Sequence, residues 1–560
     1  MDYVKAFQLM AADSLKITDN NLQPINPNQQ IEFAIRCLEA ALKLPNTAIQ
    51  QLELYFSLAY SYHHYTMNSS LVEQYLTKAN LIISNSNYQS NEFLTYGFRI
   101  MDLRFHFHLS QNHHNIARNI IKKAISRSSQ NSHWQSHFLL LKLKVSTDWQ
   151  SYLQASTEVV EQLLSLKNYS HAYIVLLLRI QRSFQSEKLI VVESIFKALD
   201  NMKSKDESLT LNANLNITYL ILKINYYCQI GKNHEAVDML TALHGLLETQ
   251  YRDENKYETI MYFQPTMLFL LTYLISGIVH KPIDNMKSKT FLTQGLKAVN
   301  KEISKSIELN DPCQLVHRRH YLVRLKSLLL IQVFEIQLIR CDYLAAFKTI
   351  YYCTEFLLPF AEVWQELKDY VMLDWGMLFQ SLEDYDKSDV IYQKLLSSSN
   401  QNLAWFVKAH LYIRSTQREV SGDMLKELIE TRDSSSLTQM LIKTILCSYD
   451  TLNKNEFKAT KGHLLEAIKM KSSIPNVQIT GLCLNILGSL YMDTDKQQSK
   501  KIFDTCLAFT KKSGSLMTQT STLSKLEFLN QEYSSELKDS KTVLDSSKRT
   551  TLESLHKLIQ

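Results

Sequence analysis

A two-helix signature recurs along this chain and narrows the folds open to it. In "LDWGMLFQSLEDYDKSDVIYQKLLSS", the group Trp375, Gly376 and Phe379 is followed, after a polar break, by Ser388, Tyr392 and Leu395 at spacings of four and three. Residues three and four apart share one face of a helix, so each half presents a single stripe to its neighbour. Small residues within the stripes let the two helices cross closely. "NILGSLYMDTDKQQSKKIFDTCLAF" repeats the logic with Leu487, Gly488, Tyr491, Ser499, Phe503 and Cys506. "LAYSYHHYTMNSSLVEQYLTKA" does so with Leu58, Ala59, Tyr62, Val72, Leu76 and Ala79. "INYYCQIGKNHEAVDMLTAL" keeps Ala236, Leu240 and Leu243, and second-helix halves recur in "CDYLAAFKTIYYC" and "FKATKGHLLEAIKM".

This is the pattern of tetratricopeptide repeats, whose unit is about 34 residues. One hairpin cannot bury its apolar stripe alone, whereas stacked neighbours bury it jointly. Composition agrees: 11 Gly and 8 Pro among 560 residues leave too little turn punctuation for a sheet protein, and no sustained alternation of apolar and polar residues appears. The fold class expected is all-α, a right-handed superhelix of tetratricopeptide-like hairpins. Residues 1–530 are expected to form one continuous array of about 12–15 hairpins, several degenerate. Residues 531–560 read as a polar tail with a short terminal helix. The polar stretches at 21–30, 201–214 and 280–289 read as loops between helices.

Several function classes are poorly supported. The formal charge of +6, from 61 Lys and Arg against 55 Asp and Glu, is a dispersed excess, unlike the concentrated basic face of a nucleic-acid binder. Direct DNA contact is therefore not expected. Eight scattered cysteines read as reduced thiols of an intracellular protein. The start, "MDYVKAFQLMAADSLKI", lacks the basic and apolar regions of a secretory signal. The longest apolar run, Met267 to Val279, falls short of the roughly 20 residues of a membrane span. It reads as a buried helix begun at Pro265, and no membrane association is expected. No phosphate-binding loop, dinucleotide fingerprint, H-E-x-x-H or paired C-x-x-C occurs, so no catalytic residue, cofactor or metal is assigned. The histidine pairs His63/His64, His113/His114 and His106/His108 have spacings unsuited to a shared metal, and read as solvated or hydrogen-bonded.

One polar cluster stands out, "LVHRRHYLVRLKSLLL" from Leu315 to Leu330. On a helix, His317, His320, Tyr321 and Arg324 fall within one arc with Arg318 beside it, and Leu322, Leu325 and Leu329 form a separate stripe. Burial of the leucines would display a cationic and aromatic face suited to carboxylate or phosphate groups. The bland alternative is a solvated basic face. Lys511 and Lys512, close before Gly514, are a second basic pair that the helix dipole alone would explain.

Longer stretches carry a family resemblance. "IRCLEAALKLP" with "YFSLAYSYHHYTMNSSLVEQYLTKANLIIS", then "FQPTMLFLLTYLISGIV", "NLAWFVKAHLYIR" and "HLLEAIKMKSSIPNVQITGLCLNILGSLYM", resemble in order the Mau (sister chromatid cohesion) family over roughly residues 31–530. That family is the small tetratricopeptide-repeat subunit of the cohesin loader, and the divergence suits its budding-yeast type. The resemblance implies a non-enzymatic nuclear, chromatin-associated subunit. It would wrap the extended N-terminal segment of the large HEAT-repeat loader subunit as an obligate heterodimer, and meet cohesin through it. It also implies a basic and aromatic patch that meets a phosphorylated acidic kinetochore protein. His317, Arg318, Arg319, Tyr321, Arg324, Lys326, Lys511 and Lys512 are the residues expected to form it. The alternatives are another tetratricopeptide scaffold of a nuclear assembly, or a helical-repeat RNA-binding protein.

Overall fold

The computed structural model describes residues 3–14, 27–66, 68–85, 91–146, 148–186, 188–250, 265–304, 312–397, 401–415, 444–448, 456–469, 476–530 and 532–559. Among these residues the elements are α-helices with two short 3-10 turns, and no strand occurs. The chain divides into two compact units, Met1–Asn216 with Asn300–Leu322, and Ile217–Val299 with Val323–Gln560.

In the first unit, helices pack in sequential antiparallel pairs such as Ala48–Tyr65 with Ser69–Asn85, Asn91–Ser110 with His114–Arg127, and Trp149–Ser165 with Tyr169–Gln185. The start of Ala48–Tyr65 shows how local sequence fixes a boundary. Thr47 accepts from the Gln50 N–H while Gln50 reaches back to the Thr47 N–H, so two otherwise orphaned donors are satisfied. Leu58, Ala59, Val72, Leu76 and Ala79 of this pair are buried as the repeat pattern requires.

The second unit contains the hairpins that the pattern marks most clearly. Helices Ala361–Ser381 and Tyr385–Leu396 cross so closely that a Cβ on Gly376 would stand 2.5 Å from the Tyr392 ring. Helices Val477–Tyr491 and Lys496–Ser513 meet in the same way, with Gly488 facing Phe503. A further pair escapes the sequence reading, Pro265–His280 with Asn285–Ser304. Gly277 takes Leu292 against its backbone, and Ser288, Leu292 and Gly295 repeat the spacing of four and three. The Ser288 hydroxyl donates to the Gly277 carbonyl at 2.6 Å, as Ser499 donates to Gly488 at 2.8 Å.

Five tight turns between paired helices share one geometry. At Asn112, Lys167, Gly231, Cys341 and Glu383 the backbone is left-handed, with φ between 55° and 81°. The next N–H bonds back five residues, as from Asn168 to Leu163 and from Asp384 to Phe379. This is the Schellman closure, which satisfies the last carbonyls of the first helix. Asn168, Asp342 and Asp384 then cap the second helix.

Some expected boundaries change. The stretch 280–289 is mostly helical, because Asp284 accepts from the N–H groups of Met286 and Lys287 and starts a helix at Asn285. The stretch 201–214 contains the end of Val192–Lys203 and the short helix Glu207–Leu211. In the stretch 21–30 a helix begins at Pro27, and residues 21–26 lie outside the described ones. The tail is no short helix: Ser534–Ile559 is one helix of 26 residues. It packs on Leu516–Asn530 and on Tyr343–Leu357. There Ser547 accepts from the Tyr343 N–H at 3.0 Å and donates to the Cys341 carbonyl at 2.7 Å, serving the backbone of one left-handed turn. An intermittent apolar stripe inside a polar composition hides such a helix from a composition-based reading.

Candidate partner-binding surfaces

Helix Pro312–Ile339 carries the expected basic cluster. Leu322, Val323, Leu325, Lys326, Ser327, Leu329 and Leu330 are all buried, so the helix is covered on more sides than its leucine stripe suggests. The run "LVRLKSLLLIQVF" is nearly apolar all round, which was the available sequence signal.

The residues of the cluster therefore have different fates. Lys326 is 1% exposed. Its ammonium donates to the Tyr352 hydroxyl at 2.8 Å and lies 4.4 Å from the Phe356 ring centroid. Cation–π attraction and a hydrogen bond replace its lost hydration, so it cannot be a surface contact. Arg319 is 5% exposed, with its guanidinium over the Tyr65 ring. Burial pulls its pKa below the ordinary range while Tyr65 opposes that shift. Arg318 is nearly enclosed and paired with Glu302. Expecting Arg319 and Lys326 on a displayed patch is thus corrected: both serve packing.

Arg324 is the cation of this helix that holds an exposed position with defined geometry. It grips Glu366 with two hydrogen bonds of 2.7 Å, the pair being 41% and 50% exposed. Tyr321 is half-buried, and the side chain of His317 falls outside the described residues. Lys511 pairs with Glu536 at 3.1 Å in the open, and Lys512 is exposed beside it. An exposed pair of this kind contributes little stability, so Arg324, Lys511 and Lys512 remain exchangeable for another anionic group.

The histidines read as solvated or hydrogen-bonded have different fates: His113 is exposed, whereas His63, His64 and His108 pack among aromatic rings. His63 packs edge-on to Phe107 at 5.8 Å and against His64 at 4.6 Å, and burial lowers its pKa to about 4. His64 also faces Tyr60 and His320. His137 meets Asp102 at 3.1 Å, with His106 nearby. Burial pushes the Asp102 carboxyl upward, but the His137 hydrogen bond and the neighbouring cations outweigh it and hold the pKa low. These rings form an aromatic core with polar edges. No group of three or more metal-ligating side chains occurs among the described residues. The seven cysteines whose side chains are described are free thiols, and no described helix is long and apolar enough to cross a membrane.

A region the sequence reading passed over is the helix His114–Arg127 in the first unit. A cleft of about 580 Å³ runs along it, lined by helices Ser69–Asn85 and Asn91–Ser110 as well, and a second of about 450 Å³ lies on another side. The available signal was charge: residues 103–147 hold no Asp or Glu but seven Lys or Arg and six His.

Paired antiparallel helices, crossing at small residues and joined by Schellman turns, define a helical-hairpin repeat protein of the tetratricopeptide type. The family model of cohesin loading factors matches residues 29–532, and the chain belongs to that family. Among its relatives is a MAU2 chromatid cohesion factor homolog of Aedes aegypti, 18% identical over 487 residues, covering 82% of this chain and 76% of the relative. A homolog of Drosophila willistoni is also 18% identical, over 82% of this chain and 71% of the relative. Scc4, solved in complex with Scc2n, shares the fold with a TM-score of 0.53 at 13% identity over 98% of both chains. Scc4 has also been solved with Scc2n and Ctf19n together, with the same TM-score at 14% identity.

Proposed function

We infer that this protein is the non-enzymatic small subunit of a cohesin loader, holding the extended N-terminal segment of a large HEAT-repeat loader subunit. The observation that carries the reading is the cohesin loading factor match over residues 29–532, on a chain that folds throughout its described length as helical hairpins. Hairpin arrays expose grooves between repeats along which an extended peptide can lie, and a long bound segment gives an obligate pair. A solved relative of the same fold is held with Scc2n. The protein would act in the nucleus at chromatin, meeting cohesin through the large subunit. Of the cations of the expected patch, Arg324, Lys511 and Lys512 are the ones exposed enough to receive a phosphorylated acidic kinetochore protein.

Native pull-down of the tagged chain with mass spectrometry tests the reading. A large HEAT-repeat protein recovered in equal amount, with its N-terminal segment protected from limited proteolysis, supports it. Recovery of the chain alone, or with RNA, overturns it. Arg324→Glu with Lys511→Glu and Lys512→Glu should leave that pair intact and reduce centromeric recruitment. Unchanged recruitment would remove the patch from the account.

A further inference from the structure

The larger cleft beside helix His114–Arg127 combines two properties. Leu81 and Ile116, 55% and 45% exposed, offer apolar side chains to solvent together with Ile120. Arg104, Lys123 and Arg127 stand among them, and no described carboxylate lines the cleft. No ion pair engages Lys123 or Arg127 among the described residues, in contrast to Lys142 of the neighbouring cleft, which meets Glu158 at 2.9 Å. The local imbalance extends through the surrounding 45 acid-free residues, within a chain that is otherwise nearly balanced. Exposed cations without counter-charges repel one another, and an anionic occupant relieves that repulsion. Exposed aliphatic side chains between them gain by being covered.

We propose that this cleft is a docking site for an acidic, aliphatic-rich peptide segment of a protein partner, its carboxylates facing Arg104, Lys123 and Arg127 and its apolar side chains covering Leu81, Ile116 and Ile120. The inference goes beyond the function proposed above and does not rest on it. The apolar lining favours a peptide over nucleic acid, whose backbone would gain nothing from Leu81 and Ile116.

Fluorescence anisotropy on the purified full chain tests the site, with a labelled peptide of alternating Glu-Glu-Leu as probe. The peptide should bind in a salt-sensitive manner. Lys123→Glu with Arg127→Glu should weaken it at least about tenfold, and Leu81→Ser should weaken it several-fold, both variants keeping wild-type helicity and melting. Lys511→Glu with Lys512→Glu should change nothing. The proposal fails if the peptide does not bind, if a Glu-Glu-Ser peptide binds equally well, or if duplex DNA or RNA competes with equal affinity.

Discussion

The two units build the same helix pairs with different small residues. Of the 11 glycines only Gly97 lies in the first unit, and a Cβ added there would meet nothing within 4 Å. That unit crosses its helices at fully buried alanines instead, among them Ala59, Ala79, Ala117 and Ala172. The second unit brings a partner side chain onto a glycine backbone at Gly277, Gly376 and Gly488, with Leu292, Tyr392 and Phe503 lying where a Cβ would project. Alanine leaves helix propensity intact, whereas glycine costs about 1 kcal/mol but permits closer approach. The second unit therefore trades local helix stability for tighter contact, and its crossings are the less tolerant.

The largest expected effect tests that contrast directly. Gly488→Ala places a methyl 2.6 Å from the ring of Phe503, which is fully buried. Overpacking of this kind costs about 3 kcal/mol, outweighing the gain in helix propensity. Urea denaturation should show the loss, and hydrogen exchange should rise first in Val477–Tyr491 and Lys496–Ser513. A neutral or stabilised variant would dissolve the distinction between the units.

A second difference lies in the aromatic and histidine core of the first unit. Burial places the folded pKa of His63 at about 4, below its unfolded value of about 6.5. The unfolded chain thus binds more protons at mildly acidic pH, and the His63 contribution is complete above about pH 6.5 and lost progressively towards pH 4. The shift corresponds to roughly 3 kcal/mol. His63→Phe keeps a ring against Phe107 and should flatten this part of the stability profile. Thermal melts of both chains between these pH values would show it; parallel profiles would remove His63 as the cause.

The same contrast explains what could be read from the sequence. Trp375–Gly376–Phe379 with Ser388–Tyr392–Leu395 was recognisable because glycine is rare here, and a glycine inside a helical stripe signals close approach. Gly277–Ser288–Leu292–Gly295 carries the same signal. It was obscured because Met267–Val279 reads as a continuous apolar run and "HKPIDNMKSK" reads as a loop, although Asp284 caps a helix within it. Alanine crossings blend into ordinary helix composition, so most of the first unit's pairs were not marked individually. The basic patch was the least legible. A stripe analysis of Leu315–Leu330 assumes one buried face, and the enclosure of Arg319 and Lys326 depends on Tyr65 and on Tyr352 with Phe356, which are distant in sequence.

Ala59→Gly sharpens the comparison from the opposite direction. It substitutes the second unit's solution at a fully buried alanine crossing of the first unit. The variant loses helix propensity and a buried methyl, together about 1–2 kcal/mol. Denaturation that shows no loss would mean that the first unit closes onto glycine as readily as the second.

The smallest effect concerns the turns. Lys167 holds φ at 55° on an exposed side chain, while Gly231 holds 81°. A left-handed conformation costs a non-glycine residue about 1 kcal/mol or more, and the added freedom of glycine in the unfolded chain returns part of that. Lys167→Gly should therefore stabilise by up to about 0.5 kcal/mol, and Gly231→Ala should destabilise by about 1 kcal/mol. The two Schellman closures are alike in their backbone bonds, Asn168 to Leu163 and Lys232 to Tyr227. Opposite signs in matched urea titrations would locate the difference in the residue at the left-handed position. Equal signs would mean that the surrounding helices, and not that residue, set the stability of each turn.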